Sequence, residues 1–200
     1  MLYLKRIALL CLVLSSSFVH SQMLDSMALS LAPTYTNLEE ALKDPQKVYK
    51  LSLRKNKLKK IPAEITSLKN LQILDLTKNS IKVIPSEIGE LKNLQTLNLS
   101  RNDIEALPKE IAKLSKLRYL NISRNELSSL PIEIAELMNL ETLDLWSNNI
   151  DIFPAEMSKM KKLKTLDLRV ITMSDPKQKK IQELLPNTKI YFSNSCKCAN

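Results

Sequence analysis

Two hundred residues that are 44% hydrophobic and 26% charged suit one globular domain or one elongated array. A formal net charge of +9 permits an anionic partner, yet aromatics at 4% argue against stacking platforms for single-stranded nucleic acid and against a specific nucleic-acid partner. With a single glycine, Gly89, the turns must be built by Asn and Pro.

The chain opens with "MLYLKRIALLCLVLSSSFVHSQ". Two cations, Lys5 and Arg6, precede an apolar run, and Val19 and Ser21 occupy the −3 and −1 positions of a cut before Gln22. This is the three-part form of a secretory signal peptide, expected over residues 1–21. An apolar run of roughly 8 to 13 residues is too short for a membrane span, which needs about 20, so no transmembrane span is expected in the mature chain. Cys11 follows Leu9-Leu10 without the small residue a bacterial lipobox requires, so a lipoprotein is not expected. Cleavage removes Lys5, Arg6, Cys11 and the sole histidine, His20, leaving a net charge of +7 and two cysteines.

Residues 22–47 form an N-terminal flank with a cap helix. "TNLEEALKD" places Thr36 as N-cap with Glu39 three residues on, a capping box, and puts Leu38, Ala41 and Leu42 on one face. From residue 48 the chain repeats every 23 residues without a gap: 48–70, 71–93, 94–116, 117–139 and 140–162, with a partial sixth at 163–170. Positions 1, 4, 6, 11, 14, 18 and 21 are apolar in all five full repeats. Position 9 is Asn, position 15 Pro and position 17 Glu in each of them. Apolar residues at 4 and 6 between variable ones have the period of a strand. Asn at 9 can turn the chain and bond backbone amides that a plain loop would strand. Pro at 15 suits the first turn of a short helical segment, with Glu at 17 near its positive end. One coil cannot shield its own leucines, so stability must come from stacking. The expected fold class is α/β: a right-handed, curved parallel solenoid with its sheet on the concave side, short helical segments on the convex side, and helical end caps.

The pattern lapses at Ile171, where Asn is due. Residues 171–192 read as a C-terminal cap: a helix in "SDPKQKKIQELLP" with Asp175 as N-cap and Pro176 at N1, turning Ile181, Leu184 and Leu185 inward, then a closing strand in "TKIYF" (188–192). Residues 193–200 are a polar tail carrying Cys196 and Cys198, whose pairing within the tail, between molecules, or as free thiols stays open.

"LPxEIxxLxxLxxLxLxxN" at this period resembles the Ras-group leucine-rich repeats, and more closely the secreted leucine-rich-repeat proteins of leptospiral spirochaetes. The shared features are the signal peptide, the opening "LxxALxxPxxVxxLxL" at 38–53 and the closing "KIxxLLPxxxIxF" at 180–192. The resemblance implies an extracellular or envelope binding module with no shared catalytic residues.

Candidate binding residues come from the concave face. Position 8 carries Lys55, Lys78, Arg101 and Arg124, then Ser147 and Val170. Such a column can receive an acidic surface, a sulfated glycan or a phosphate, or it can be a solvated rim, with Asp103 and Glu126 close in sequence to Arg101 and Arg124. Position 5 reads Ser52, Asp75, Asn98, Asn121, Asp144, Asp167, where the pair Asp144 and Asp167 suits a polar surface role better than metal or acid/base work. Position 7 carries Arg54, Thr77, Ser100, Ser123, Trp146 and Arg169. These are polar apart from Trp146, so the column is expected to face water, with Trp146 near Arg169 and within reach of Tyr119. Trp146 is then either a binding hot spot or a ring stacked idly on Arg169.

The resulting expectation is a secreted or envelope-associated module that recognises a protein or glycan, including an anionic host surface or matrix component, without catalysis or cofactor. The alternative is a scaffolding protein binding a partner within the bacterial envelope. Edman sequencing of the native protein is expected to begin at Gln22; an intact Met1 would remove the export reading.

Overall fold

The computed structural model describes residues 24–193. The signal-peptide reading and the cysteines of the tail lie outside them.

Each repeat turns its period-of-two segment into a three- or four-residue strand whose middle leucine is buried. The strands are β1 (Thr34–Tyr35), β2 (Lys50–Ser52), β3 (Ile73–Asp75), β4 (Thr96–Asn98), β5 (Tyr119–Asn121), β6 (Thr142–Asp144), β7 (Thr165–Leu168) and β8 (Lys189–Phe192). They form one parallel sheet in chain order. From β2 to β7 the register steps by the repeat length: Leu51 pairs Leu74, which pairs Leu97, then Leu120, Leu143 and Leu166. Of the seven apolar positions in the five full coils, only Leu58 and Phe153 are not fully buried, and both still pack on the core.

The convex segments are 3-10 rather than α-helical. Pro62, Pro85, Pro108, Pro131 and Pro154 sit just before the five-residue turns Ala63–Ser67, Ser86–Glu90, Lys109–Lys113, Ile132–Glu136 and Ala155–Lys159, so the proline is the cap and not the first helical residue. Its carbonyl accepts from the position-18 N–H three residues on, at 3.0–3.2 Å. Five residues are too few to repay α-helical nucleation, and the tighter turn suffices.

Between strand and convex turn the backbone bends sharply at position 8. Lys55, Lys78, Arg101, Arg124, Ser147 and Val170 all have φ between 56° and 63°, a left-handed conformation unfavourable for residues with a Cβ. In the second to fifth coils the asparagine of position 9 braces it. Asn102 donates from Nδ2 to the carbonyls of Leu76 in the coil before and Leu99 in its own, and its Oδ1 accepts from Ile81 N–H. Asn79, Asn125 and Asn148 repeat this pattern.

The single glycine is also placed by stacking. A Cβ on Gly89 would stand 2.9 Å from the Glu110 carbonyl oxygen of the next coil, so the second and third convex turns approach more closely than a side chain there allows.

Both ends are covered, with two cap details differing from expectation. Helix α1 (Ser26–Leu31) precedes β1, and helix α2 (Leu38–Ala41) buries Ala41 with Leu38 and Leu42 packed on the core. The N-cap of α2 is Asn37, whose Oδ1 accepts from Glu40 N–H at 3.1 Å, and not Thr36. Helix α3 (Asp175–Leu184) buries Ile181, with Leu185 just beyond it. Its N-cap is Ser174 rather than Asp175, because Pro176 already fixes the first turn from inside the helix. No described helix is long and apolar enough to cross a membrane.

Replacing Asn102 with Ala leaves the Ile81 N–H without its acceptor inside the stack and takes one of two amide donors from each of the Leu76 and Leu99 carbonyls. Urea unfolding is expected to show a loss of roughly 2–4 kcal/mol. Asn56→Ala, at an exposed side chain of the first coil, is expected to stay within about 0.5 kcal/mol.

Candidate functional site

The concave face is built from positions 3, 5 and 7, which strand alternation turns away from the core. Position 5 has a local duty. Asp75, Asn98, Asn121, Asp144 and Asp167 each accept from the backbone N–H two residues on, at 2.9–3.1 Å. These side chains therefore bond their own strand's main chain at the mouth of the left-handed turn, and Asp75, Asn121 and Asp167 bond neighbouring side chains as well.

Position 7 does not uniformly face water. Thr77, Ser100 and Ser123 are buried, and only Arg54 and Arg169 are exposed. The hydroxyls are short enough to fold down onto position 5: Ser123 Oγ donates to Asn121 Oδ1 at 2.6 Å, and Thr77 bonds Asp75. Trp146 is too large to fold down and remains half-buried at the surface.

Arg124, one coil earlier, lies over the Trp146 ring at 4.3 Å from its centroid, in the place expected for Arg169. Arg169 is diverted by Asp167, which it meets at 2.6 Å between Nη2 and Oδ2. It also lies 5.6 Å from the centre of the Tyr191 ring. The Asp167 carboxylate holds the Arg169 guanidinium above its usual range.

Tyr191 was not foreseen. A step of 23 from Asp167 reaches Ile190, but α3 shifts the register so that Asp167 pairs with Tyr191. Only that pairing puts a second aromatic at the far end of the concave row. Tyr119 lies half-buried on β5, where Asn121 Nδ2 donates to its hydroxyl at 3.3 Å.

The cations of position 8 form a coherent column. Lys55, Arg101 and Arg124 are exposed and Lys78 half-buried. Their N–H groups bond the next coil's carbonyls at 2.7–3.0 Å, which pins each side chain at the rim of the sheet. Among the described residues none of the four has a carboxylate within 4.0 Å; Glu126 instead accepts from Asn149. Arg101, then Lys55, push the Lys78 ammonium below its usual range.

Asp144 and Asp167 do interact. Burial first, and then the Asp167 charge, raise the Asp144 carboxyl above the usual carboxylate range, against the opposing Trp146 N–H bond and Arg169. The described residues hold no cluster of three or more His, Cys, Asp or Glu suited to a metal.

A second margin, at the opposite end of the strands, escaped the sequence reading. At position 2, Glu141 lies between Arg118 and Lys164, 2.5 Å from each, and these two hold its carboxyl below the usual range. At position 23, Lys116 and Lys162 donate to Asn93 and Asn139 at 2.7 Å each. The recurrence of Asn and Lys at position 23 was the available signal.

The family described as "Leucine-rich repeat region" matches residues 108–188, and that described as "Leucine rich repeat" matches residues 46–104. Similar solved structures include a leucine-rich-repeat protein of Leptospira interrogans, at 29% identity and a TM-score of 0.50, covering 80% of this chain and 58% of that one. An internalin C2 of Listeria monocytogenes aligns at 27% identity and 0.61, over 74% and 62% of the two chains. The ectodomain of a plant membrane receptor kinase from Arabidopsis thaliana, solved with Casparian strip integrity factor 2, aligns at 31% and 0.58, over 76% of this chain and 19% of its own. The chain thus spans less than two thirds of each of these relatives. No curated protein matches it by sequence.

Asp144→Asn keeps the acceptor for Trp146 N–H and removes the disfavoured charge. Because the folded pKa is raised, the wild type loses stability as pH climbs through the value held in the fold. The variant is expected to melt higher at pH 7, with the gap closing as pH drops below the ordinary carboxylate range. A gap that widens on acidification would reverse the assignment.

Proposed function

Because the chain belongs to the leucine-rich-repeat proteins, a fold typical of protein-binding modules, we propose that it is a secreted or envelope-associated binding module whose concave rim recognises an anionic protein or glycan, including one on a host surface or matrix. The observation that carries this reading is the uncompensated column Lys55, Lys78, Arg101, Arg124, ending on the Trp146 ring.

Turn geometry does not explain those residues. A left-handed position favours Gly, Asn or Asp, and four cations in succession satisfy no local backbone need. They repel one another, and Lys78 registers that repulsion. An anionic partner laid along the rim relieves it. The Arg124–Trp146 stack closes the column with an aromatic surface, the residue class enriched at binding hot spots. The secretory reading of residues 1–21 supports an extracellular or envelope setting. The plant ectodomain and the internalin support a binding role rather than a reaction.

The expected behaviour is electrostatic. Binding to an immobilised sulfated glycan or acidic protein should weaken at least ten-fold as salt rises from low to several times physiological strength. Arg101→Glu with Arg124→Glu should abolish it while the melting temperature barely moves. Trp146→Ala should lower affinity by about 2 kcal/mol on a partner that reaches the ring. Binding indifferent to both salt and charge reversal would return the column to a solvated rim.

A further inference from the structure

The margin formed by positions 2 and 3 has a task at coils 1 and 2 that lies open at coils 3 to 5. Gln72 has no solvent exposure, and its side-chain amide clamps the main-chain N–H and carbonyl of one residue. Oriented to suit its neighbours, its oxygen accepts from Leu24 N–H at 2.7 Å and its nitrogen donates to the Leu24 carbonyl at 3.2 Å. One coil earlier, the Lys50 ammonium donates to the Ser30 carbonyl at 3.0 Å. The segment from Leu24 through α1 therefore crosses the strands along this margin, held by its main chain, before β1 joins the sheet.

The Gln72 amide touches that of Gln95 at 2.7 Å, and from Gln95 onward the margin is an open groove. Its larger part, about 500 Å³, is lined by Gln95, Lys116, Arg118, Asn139, Glu141 and Lys162. It continues over Thr96, Tyr119 and Thr142 into a further 240 Å³. That size falls within the range of ligand sites, and the lining offers amides, hydroxyls and one aromatic ring.

We infer that this margin is a rail for extended polypeptide, filled at coils 1 and 2 by the chain's own segment and open at coils 3 to 5 to an acidic peptide from a partner protein. The charge argues for acidity. Lys116 and Lys162 bond neutral amide oxygens and so keep their full charge, and Arg118 and Lys164 share the single carboxylate of Glu141. Spacing argues for a short stretch. Coils stand about 4.8 Å apart and extended chain advances about 3.3 Å per residue, so three coils are crossed by three or four residues. The rail meets positions 2 and 23, whereas the cation column lies six residues along each strand, about 20 Å away. Occupancy of one does not require the other.

The test uses a blocked hexapeptide of alternating serine and glutamate titrated into the full-length ¹⁵N-labelled protein. Amide shifts are expected at Gln95, Thr96, Arg118, Tyr119 and Thr142. Lys116→Ala with Lys162→Ala, both surface changes, should weaken binding at least ten-fold, as should a depsipeptide whose esters replace the main-chain amides. Gln95→Glu, which adds like charge at the mouth, should weaken it too. Arg101→Glu with Arg124→Glu, which removes the column, should leave it unchanged. The inference fails if no shifts arise at millimolar peptide, if shifts fall on the column instead, or if the depsipeptide binds equally well. It fails also if a uronic-acid oligosaccharide produces the groove shifts and the peptide does not.

Discussion

Asn79, Asn102, Asn125 and Asn148 carry the structure, because each reaches across a coil boundary to accept from an N–H of the coil before that finds no partner in its own coil. A coil of this length must leave its strand, reverse and return, and the reversal turns carbonyls and N–H groups inward where water is excluded. Leaving one unpaired costs about 1–3 kcal/mol. A side chain with one acceptor and two donors, reaching about one strand spacing, meets the need at every rung. Stacking is thereby enforced by polar chemistry as much as by buried leucine. Where Asn gives way to Ile171 the repeat stops, and α3 with β8 closes the core by a different route.

The same constraint makes the functional surface. Where position 9 is tied down, the left-handed bend just before it is braced and the position-8 side chain is fixed at the rim beside its counterpart one coil away. Any residue type placed there becomes a column. Four cations about 4.8 Å apart repel by only about 1 kcal/mol per pair in water, which the stack absorbs easily. The opposite margin follows another logic. There, Glu141 neutralises flanking cations and neutral amides bind lysines, producing a groove suited to hydrogen bonding rather than a bare positive edge.

Much of the architecture was legible from residues alone. The 23-residue period, the seven apolar positions, the inward cap residues Ile181 and Leu185, and the closing strand all rest on periodicity, which stacking converts directly into space. The cation column was legible for the same reason: residues one period apart become neighbours in a sheet whose register follows the repeat. The position of Trp146 on the concave side came from strand alternation in the same way.

What tertiary structure alone decided are the choices among neighbours that periodicity makes equivalent. Trp146 has an arginine on either side, one coil back and one coil on. Arg124 takes the ring only because Asp167 holds Arg169, a competition set by distances of a few ångströms. Tyr191 joins the concave row because α3 breaks the period and shifts the register by one. The buried Gln72 gains its partner in Leu24 from a segment that belongs to no repeat. Sequence determined the solenoid and its columns, since those depend on spacing that recurs. Contacts that depend on a broken period or on competition between side chains exist only once the chain is folded.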